Sequence, residues 1–203
     1  YSYDPLTMER IGGEHLWNLK ENKEQLINNF CDALDSLHSI AEVDANTDDM
    51  IDVYLNKAKS RVKEVRSLIR DIDEPMVKIN SRMCINPLCD EEYFVEHIKK
   101  ISNIDKFNII HGDNTFSNTI ADENSKIWFI DPRGVFGSTP IYGDRRYDYA
   151  KLYYSAYGNY DSINSKDYRI KLGKRNVDLE IKSNGYEEYA DLIIKRSGVP
   201  KAE

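Results

Sequence analysis

A short apolar run that leads directly into a polar loop constrains the fold of this chain more than any other feature. The run covers residues 107–110, and the loop at 111–118 reads His-Gly-Asp-Asn-Thr-Phe-Ser-Asn. Two further apolar stretches, at 119–121 and 127–130, flank the turn sequence Asp-Glu-Asn-Ser, which predicts a β-hairpin. Asp131 follows the second stretch. We therefore expect a strand, a polar loop and a hairpin that ends in a carboxylate, in this order.

Three oxygen-bearing side chains of this segment are expected to converge on one cleft. Asp113 and Asn118 belong to the same loop, where irregular backbone can turn both side chains toward one cavity. Folding of the hairpin brings Asp131 near Asn118. Such oxygen ligands suit Mg²⁺ bound to nucleotide phosphates, and a further carboxylate can orient a hydroxyl nucleophile. Asp131 and Asn118 are accordingly predicted metal ligands, and Asp113 is the predicted general base.

The whole pattern resembles the catalytic segment of the aminoglycoside phosphotransferase and choline kinase family, whose members share the protein-kinase-like fold. The resemblance covers about residues 21–160, and its specific part is 111–148. It implies that Asp113 is the catalytic base and that Asn118 and Asp131 hold the metal ion. The cofactor implied is Mg²⁺, with ATP or GTP as the phosphoryl donor.

Neighbouring residues are expected to support the catalytic loop. We expect His111 to pack beneath the loop and to bond backbone carbonyls rather than to act as a ligand or base. Residues 146–150 look like the start of a family helix, whose aspartate, here Asp148, supports the loop through backbone hydrogen bonds. Arg133 has three candidate partners, namely a phosphate group, Asp113, or Asp148 in an ordinary ion pair.

The resemblance implies a phosphotransferase that moves a γ-phosphate to a hydroxyl of a small metabolite. Candidate acceptors are an amino alcohol such as choline, a sugar and an aminoglycoside. The Asp-Pro-Arg-Gly at 131–134 and the segment 142–148 look most like the subset associated with bacterial surface-polysaccharide (capsule) biosynthesis. Two alternatives remain open. One is a non-catalytic kinase-like binding module, and the other is a metal-dependent phosphohydrolase, which needs further His or carboxylate ligands.

Helical periodicity outside the loop predicts an α+β fold that is mainly helical. Apolar residues recur at steps of three and four over 21–40, and again from Asp48 to a point before Pro75. Asp90 is expected to cap a third helix. Further predicted elements are a helix at 145–157, a second hairpin within 170–181 and a helix at 186–196.

A complete kinase-like fold also needs a preceding β-rich lobe, with a glycine-rich loop and a strand lysine that hold the phosphates. Nothing before His111 matches this pattern, since Gly12–Gly13 is not a Gly-Xaa-Gly-Xaa-Xaa-Gly motif. We therefore expect residues 1–20 to be a linker or an irregular entry segment and residues 21–203 to be a C-terminal lobe. The missing N-terminal lobe of the same protein is then an expected partner, and weak nucleotide affinity is expected of this chain alone.

Composition argues against several other classes of protein. The chain has 203 residues and a net charge of −7, which suits one acidic globular domain and disfavours a general nucleic-acid binder. No apolar run approaches the length of a membrane span. The cysteines Cys31, Cys84 and Cys89 are odd in number and scattered, so a disulfide framework is not expected and a cytoplasmic location is favoured.

Overall fold

Helices and short strands alternate along the chain and form an α+β fold. The computed structural model describes residues 9–65, 67, 73–86, 89, 91–101, 104–173 and 176–199. The helices in these ranges are α1 (Lys23–His38), α2 (Thr47–Ile51), α3 (Lys57–Val65), α4 (Glu91–Ile101), α5 (Arg145–Ala156), α6 (Tyr160–Asn164) and α7 (Ala190–Ser197). The strands are β1 (Glu14–His15), β2 (Glu42–Asp44), β3 (Met76–Ile79), β4 (Arg82–Ile85), β5 (Lys106–Ile109), β6 (Thr119–Ala121), β7 (Ile127–Phe129), β8 (Val135–Phe136), β9 (Thr139–Pro140), β10 (Tyr142–Gly143), β11 (Tyr168–Leu172) and β12 (Asn176–Ile181).

The helix α1 is amphipathic and provides one wall of the main core. Its buried positions follow the three- and four-residue spacing from which the sequence predicted a helix over 21–40. Burial raises the pKa of the Cys31 thiol to about 12, so this cysteine is an unreactive core residue. The apolar side chains that α1 buries are Leu26, Ile27, Phe30, Cys31 and Leu34.

The polar loop that follows β5 runs from one hydrophobic cluster to another. Ile110, just before the loop, belongs to a small cluster with Phe107, Met50 and Phe136. Phe116, within the loop, is fully buried in the larger cluster that α1, α5 and α7 form with the β6–β7 hairpin. The loop is therefore anchored by apolar packing on both sides of its polar residues.

Four small sheets support these helices. The strand orders are β1-β6-β7, β10-β5-β2, β11-β12-β3-β4 and β8-β9. The predicted hairpins at 119–130 and within 170–181 are present as β6–β7 and β11–β12. Within the described ranges, β12 and β3 form a parallel pair and the other pairs are antiparallel.

Residues 14–18 are part of this fold, although the sequence predicted a linker over 1–20. The strand β1 pairs with β6, and the next residue, Leu16, is fully buried in the main core. The hydroxyl of Tyr186 donates a hydrogen bond to the Leu16 carbonyl at 3.0 Å. Gly13 precedes β1, and a Cβ atom there would collide with the Ala121 carbonyl. A two-residue strand has no periodicity, so the sequence pattern could not reveal it.

Some predicted features lie outside the described residues. These are residues 1–8 of the predicted linker, the end of the second predicted helix at 66 and 68–72, and the cap Asp90. The described part of the second helix is divided, because a π-helical turn at Asp52–Asn56 separates α2 from α3. Every helix that the structure describes is too short or too polar to cross a lipid bilayer.

The burial of Leu16 gives a test of the contribution of residues 14–18. We expect Leu16→Ala to lower the free energy of unfolding by about 2–5 kcal/mol, because it leaves a cavity in the main core. The control is Leu172→Ala, since Leu172 is 75% exposed and its loss is expected to change stability by less than about 0.5 kcal/mol. Urea unfolding followed by circular dichroism measures both. Equal stability of the two variants would contradict the placement of Leu16.

Candidate active site

A buried carboxylate in the first turns of α5 holds the start of the polar loop. Asp148 is fully buried, and its two oxygens accept hydrogen bonds from the backbone N–H groups of His111 at 2.9 Å and Gly112 at 2.8 Å. The Nε2 atom of His38, at the end of α1, lies 3.0 Å from the same carboxylate. A buried charge needs such donors, because otherwise its desolvation is not offset. The support of the loop by Asp148 that the sequence predicted is present.

A second hydrogen bond to α5 holds the middle of the loop in place. The side chain of Asn114 is fully buried and donates a hydrogen bond to the backbone carbonyl of Asp148 at 2.9 Å. Further along the loop, Ser117 donates its backbone N–H to the buried Asp161 carboxylate at 3.0 Å. Burial raises the pKa of Asp161, and the hydrogen bonds from Ser117 oppose that rise. The loop is thus tied to both α5 and α6.

The ring of His111 is held in one tautomer by its two partners. Its Nδ1 atom accepts the backbone N–H of Asp113 at 3.2 Å, and its Nε2 atom lies 2.9 Å from the carbonyl of Ile130. A neutral ring satisfies both contacts when Nε2 carries the proton. Burial lowers the pKa of His111, which favours this neutral form. His111 therefore connects the loop to the end of β7, as the predicted packing role requires.

The β6–β7 hairpin brings Asp131 back to the loop. On one side of Asp131, the N–H of Ile130 donates to the carbonyl of Asn118 at 3.0 Å. On the other side, the N–H of Arg133 donates to the carbonyl of His111 at 2.9 Å. Asp131 itself has a φ of +56°, a left-handed conformation that is uncommon for a residue with a side chain. Such conformations persist where the surrounding contacts impose them, and they are frequent at functional sites.

Two potential metal ligands next to the hairpin have free oxygens. The side-chain amide nitrogen of Asn118 donates a hydrogen bond to the backbone carbonyl of Asp113 at 2.8 Å. The side-chain oxygen of Asn118 takes no part in this bond. Asp131 is exposed, and its carboxylate has no hydrogen bond or ion pair with any residue that the structure describes. The structure thus brings the Asn118 and Asp131 backbones together, and it leaves both side-chain oxygens available.

Asp113 forms an ion pair that the sequence did not predict. Its Oδ1 atom lies 2.9 Å from the ammonium of Lys151, which α5 contributes one turn after Asp148. The Lys151 side chain is 19% exposed and also lies over the rings of Tyr147 at 5.7 Å and Tyr154 at 5.5 Å. Lys151 engages only Oδ1. The second oxygen of Asp113 has no partner in the described part of the chain.

Arg133 bonds to Tyr147, which was not among the partners predicted from the sequence. Its Nη1 atom donates to the hydroxyl of Tyr147 at 2.9 Å. The predicted alternative of an ion pair with Asp148 is wrong, because that carboxylate is buried and already accepts hydrogen bonds from His111, Gly112 and His38. No ion pair of Arg133 with Asp113 occurs among the described residues either. Contact with a phosphate stays a prediction.

Positive charge collects around Asp113 in spite of the acidic composition of the chain. The helix α3 carries Lys57 and Arg61 at i and i+4, on one helix face. Burial lowers the pKa of Lys57, and three neighbouring cations lower it further: Arg133, Arg61 and Lys151. The charge of Asp113 acts in the opposite direction. We call Lys57, Arg61, Arg133 and Lys151 the cation group.

The side chains available for a metal ion are few. Within the described ranges, no group of three His, Cys, Asp or Glu side chains is arranged to hold one. Asp131 and Asn118 supply one carboxylate and one amide oxygen, and Mg²⁺ bound to a nucleotide takes its other ligands from phosphate and water. This pair therefore suits Mg²⁺ held together with a nucleotide. The two-metal site of a phosphohydrolase needs more ligands than this part of the chain provides.

Sequence reasoning missed Lys151, Asp161 and the two basic residues of α3. Lys151 lies three residues after Asp148, so it shares a face of α5 with that residue, and this spacing was a usable signal. Lys57 and Arg61 gave no signal of this kind. They come from a charged helix face of the type that usually faces solvent, and only the tertiary fold brings Lys57 within the electrostatic influence of Asp113 and Lys151.

Comparison of the chain with protein-family models, with curated proteins and with solved structures gives no match.

The buried Asp148 carboxylate gives a test of the loop anchor. We expect Asp148→Ala to lower the free energy of unfolding by about 3–5 kcal/mol, because it leaves buried N–H groups without an acceptor. Asp167→Ala is the control, since Asp167 is 53% exposed and pairs with Lys182 at the surface. Denaturant unfolding and amide hydrogen exchange at Gly112 measure the effect. Loss of less than about 1 kcal/mol in Asp148→Ala would contradict the anchor.

The lowered pKa of His111 predicts a dependence of stability on pH. As the pH falls below the ordinary histidine value of 6.5, the unfolded chain takes up a proton before the folded chain does. The contribution of His111 is therefore complete above this value and decreases below it, by at most about 1.4 kcal/mol per pH unit. Unfolding free energies between about pH 7.5 and 5.5 should show a smaller slope in His111→Asn than in the wild type. An unchanged slope in His111→Asn would contradict the assignment.

Proposed function

We propose that this chain is the catalytic part of a phosphotransferase, which moves the γ-phosphate of ATP or GTP to a hydroxyl of a small metabolite. The observation that carries the proposal is the meeting of the polar loop with the end of the β6–β7 hairpin. Hydrogen bonds on both sides of Asp131 hold it against this loop. The free oxygens of Asn118 and Asp131 and the second oxygen of Asp113 provide the acceptors that this chemistry needs.

Each of these residues has a separate role in the proposed reaction. Asn118 and Asp131 would hold Mg²⁺, which offsets negative charge on the triphosphate when it is bound. Asp113 accepts a hydrogen bond from the acceptor hydroxyl and takes its proton as the new P–O bond forms. The bond between the γ-phosphorus and the β,γ-bridging oxygen breaks in the same step, which releases the nucleoside diphosphate. Lys151 holds the Asp113 carboxylate in place through Oδ1.

We also propose a fold family, a partner lobe and a cellular role for this chain. The chain is proposed to be the C-terminal lobe of a fold like that of aminoglycoside phosphotransferases and choline kinases, with an N-terminal lobe of the same protein as partner. The α+β architecture and the loop geometry are compatible with such a lobe. A role in bacterial surface-polysaccharide biosynthesis and a cytoplasmic location, where ATP and GTP are supplied, are part of the same proposal.

The proposed metal pair can be tested separately from the proposed base. We expect Mn²⁺ with ATP to broaden the amide resonances of Asn118 and Asp131 in the wild-type chain, because Mn²⁺ accepts the same oxygen ligands as Mg²⁺. Asp131→Asn should lose this broadening, whereas Asp113→Asn should keep it. In a transfer assay of the full-length protein with its proposed N-terminal lobe, with Mg²⁺, labelled ATP and a panel of alcohols, Asp113→Asn should lose about 10²–10⁴-fold in turnover.

The control for this experiment is Asp44→Asn, because Asp44 is 92% exposed and ion-pairs with Lys106 on β5. It should match the wild type in both measurements. Normal turnover in both Asp113→Asn and Asp131→Asn would disprove the roles proposed for these two carboxylates. Binding of Mn²⁺ with ATP in the absence of transfer to any alcohol would favour a non-catalytic kinase-like module instead.

A further inference from the structure

We propose that the acceptor is an anionic alcohol, that is, a hydroxyl compound that carries a phosphate or carboxylate group, and that the cation group binds this anion beside Asp113. The proposal rests on the proposed function, because it takes Asp113 as the residue that meets the acceptor hydroxyl. It excludes choline, other cationic amino alcohols and aminoglycosides as the preferred acceptors.

Most of the cation group forms no ion pair within the described part of the chain. Lys151 is paired with Asp113 at 2.9 Å. Arg133 donates to a neutral tyrosine hydroxyl, and Lys57 and Arg61 form no ion pair with any residue that the structure describes. Like charges that gather in partly buried positions repel one another, and an anion placed among them removes that repulsion. In a chain with a net charge of −7, this arrangement is the reverse of what composition predicts.

Most of the cation group comes from helices and not from the hairpin that adjoins the proposed metal ligands. Lys57 and Arg61 come from α3 and Lys151 comes from α5, whereas both proposed metal ligands adjoin the β6–β7 hairpin. Lys151 contacts Asp113 directly, and Lys57 senses the charge of Asp113. Lys151 thus contacts the proposed base, Arg133 lies beside the neighbouring Gly112, and Lys57 and Arg61 adjoin these two cations on α3.

A partly exposed tyrosine ring lies next to Lys151. The ring of Tyr154 is stacked on that of Tyr160, with 4.3 Å between centroids, and Tyr154 remains 40% exposed. The Lys151 ammonium lies 5.5 Å from the centre of the Tyr154 ring. An apolar ring beside a fixed cation can contact the carbon skeleton of an acceptor while the cations hold its anionic group. The surface around Lys151 thus offers contacts for both parts of an anionic alcohol.

A cationic acceptor is disfavoured by the same geometry. An ammonium group near Asp113 would meet a carboxylate that Lys151 already engages, and Lys57 would add a second positive charge on the same side. Like-charge contacts of this kind are a common basis of discrimination between ligands. The Asp49 carboxylate of α2 is not available to a cationic acceptor either, since it is buried and accepts hydrogen bonds from Ser138 and Thr139.

The test is a set of binding titrations of the isotope-labelled chain without nucleotide, followed by the amide resonances of Gly112 and Lys151. The probes are glucose 6-phosphate, gluconate, glucose, choline and inorganic phosphate. We expect glucose 6-phosphate or gluconate to bind at least about tenfold more tightly than glucose, as loss of a charge-assisted contact predicts. The comparison of these two anions decides whether a phosphate or a carboxylate is preferred. Choline is expected to cause no shift of these resonances.

Variants on α3 identify the cations that are responsible. Lys57→Gln and Arg61→Gln should each weaken binding of the preferred anion by about tenfold, because each removes one charge. The control is Lys63→Gln, which removes an exposed lysine from a different face of the same helix. All three side chains are on the surface of α3, so the variants are expected to fold normally.

Three outcomes would overturn the proposal: choline binding as tightly as the anions, unchanged anion affinity in Lys57→Gln and Arg61→Gln, or equal affinity for inorganic phosphate and glucose 6-phosphate in every variant. The last outcome would indicate a site for nucleotide phosphate. Asp131→Asn separates this inference from the proposed function, since it should lose Mn²⁺ with ATP and keep the anion. Anion binding by this chain, together with no transfer activity in the full-length protein with its proposed N-terminal lobe, would leave the cation site valid and the proposed function wrong.

Discussion

The buried charge of Asp148 determines the geometry of the whole site. A carboxylate that is fully removed from water needs hydrogen-bond donors, and two of the donors to Asp148 are consecutive backbone N–H groups of the loop. These groups point at one side chain because Gly112 adopts a φ of +77°. A Cβ atom at Gly112 would lie 3.0 Å from the Cβ of Arg133, so the glycine also permits the close approach of the segment after Asp131. The same turn therefore satisfies a buried charge and brings the segment after Asp131 close to the loop.

The site has two electrostatically different sides that meet at Asp113. On the hairpin side, Asn118 and Asp131 present oxygen atoms without cationic partners in the described chain. On the helix side, α3 and α5 present the cation group. The proposed transfer to an anionic alcohol would use both kinds of surface, because oxygen ligands hold a metal–nucleotide complex and cations hold an anionic acceptor. The position of Asp113 between the two is consistent with its proposed role.

Local sequence signals predicted the parts of the fold that carry their own periodicity. The helix α1 and the β6–β7 hairpin were predicted because apolar spacing and turn residues specify them. The support of the loop by Asp148 came from motif resemblance. The strand β1 and the ion pair of Lys151 with Asp113 were not predicted. β1 is too short for a pattern, and an ion pair depends on side chains that only the tertiary fold brings together.

The parallel pairing of β12 with β3 has a consequence for how this chain folds. The contact between Leu179 and Asn80 joins residues 99 positions apart along the chain, so it closes a long loop at a large entropic cost. The hairpins β3–β4 and β11–β12 each form from neighbouring residues, whereas their junction requires that the intervening chain be compact first. Every residue of β11 is exposed, so the sheet gains little from burial on that strand. The assembled sheet thus combines a long-range junction with an exposed outer strand, and we expect it to open more readily than the core that α1 and α5 form.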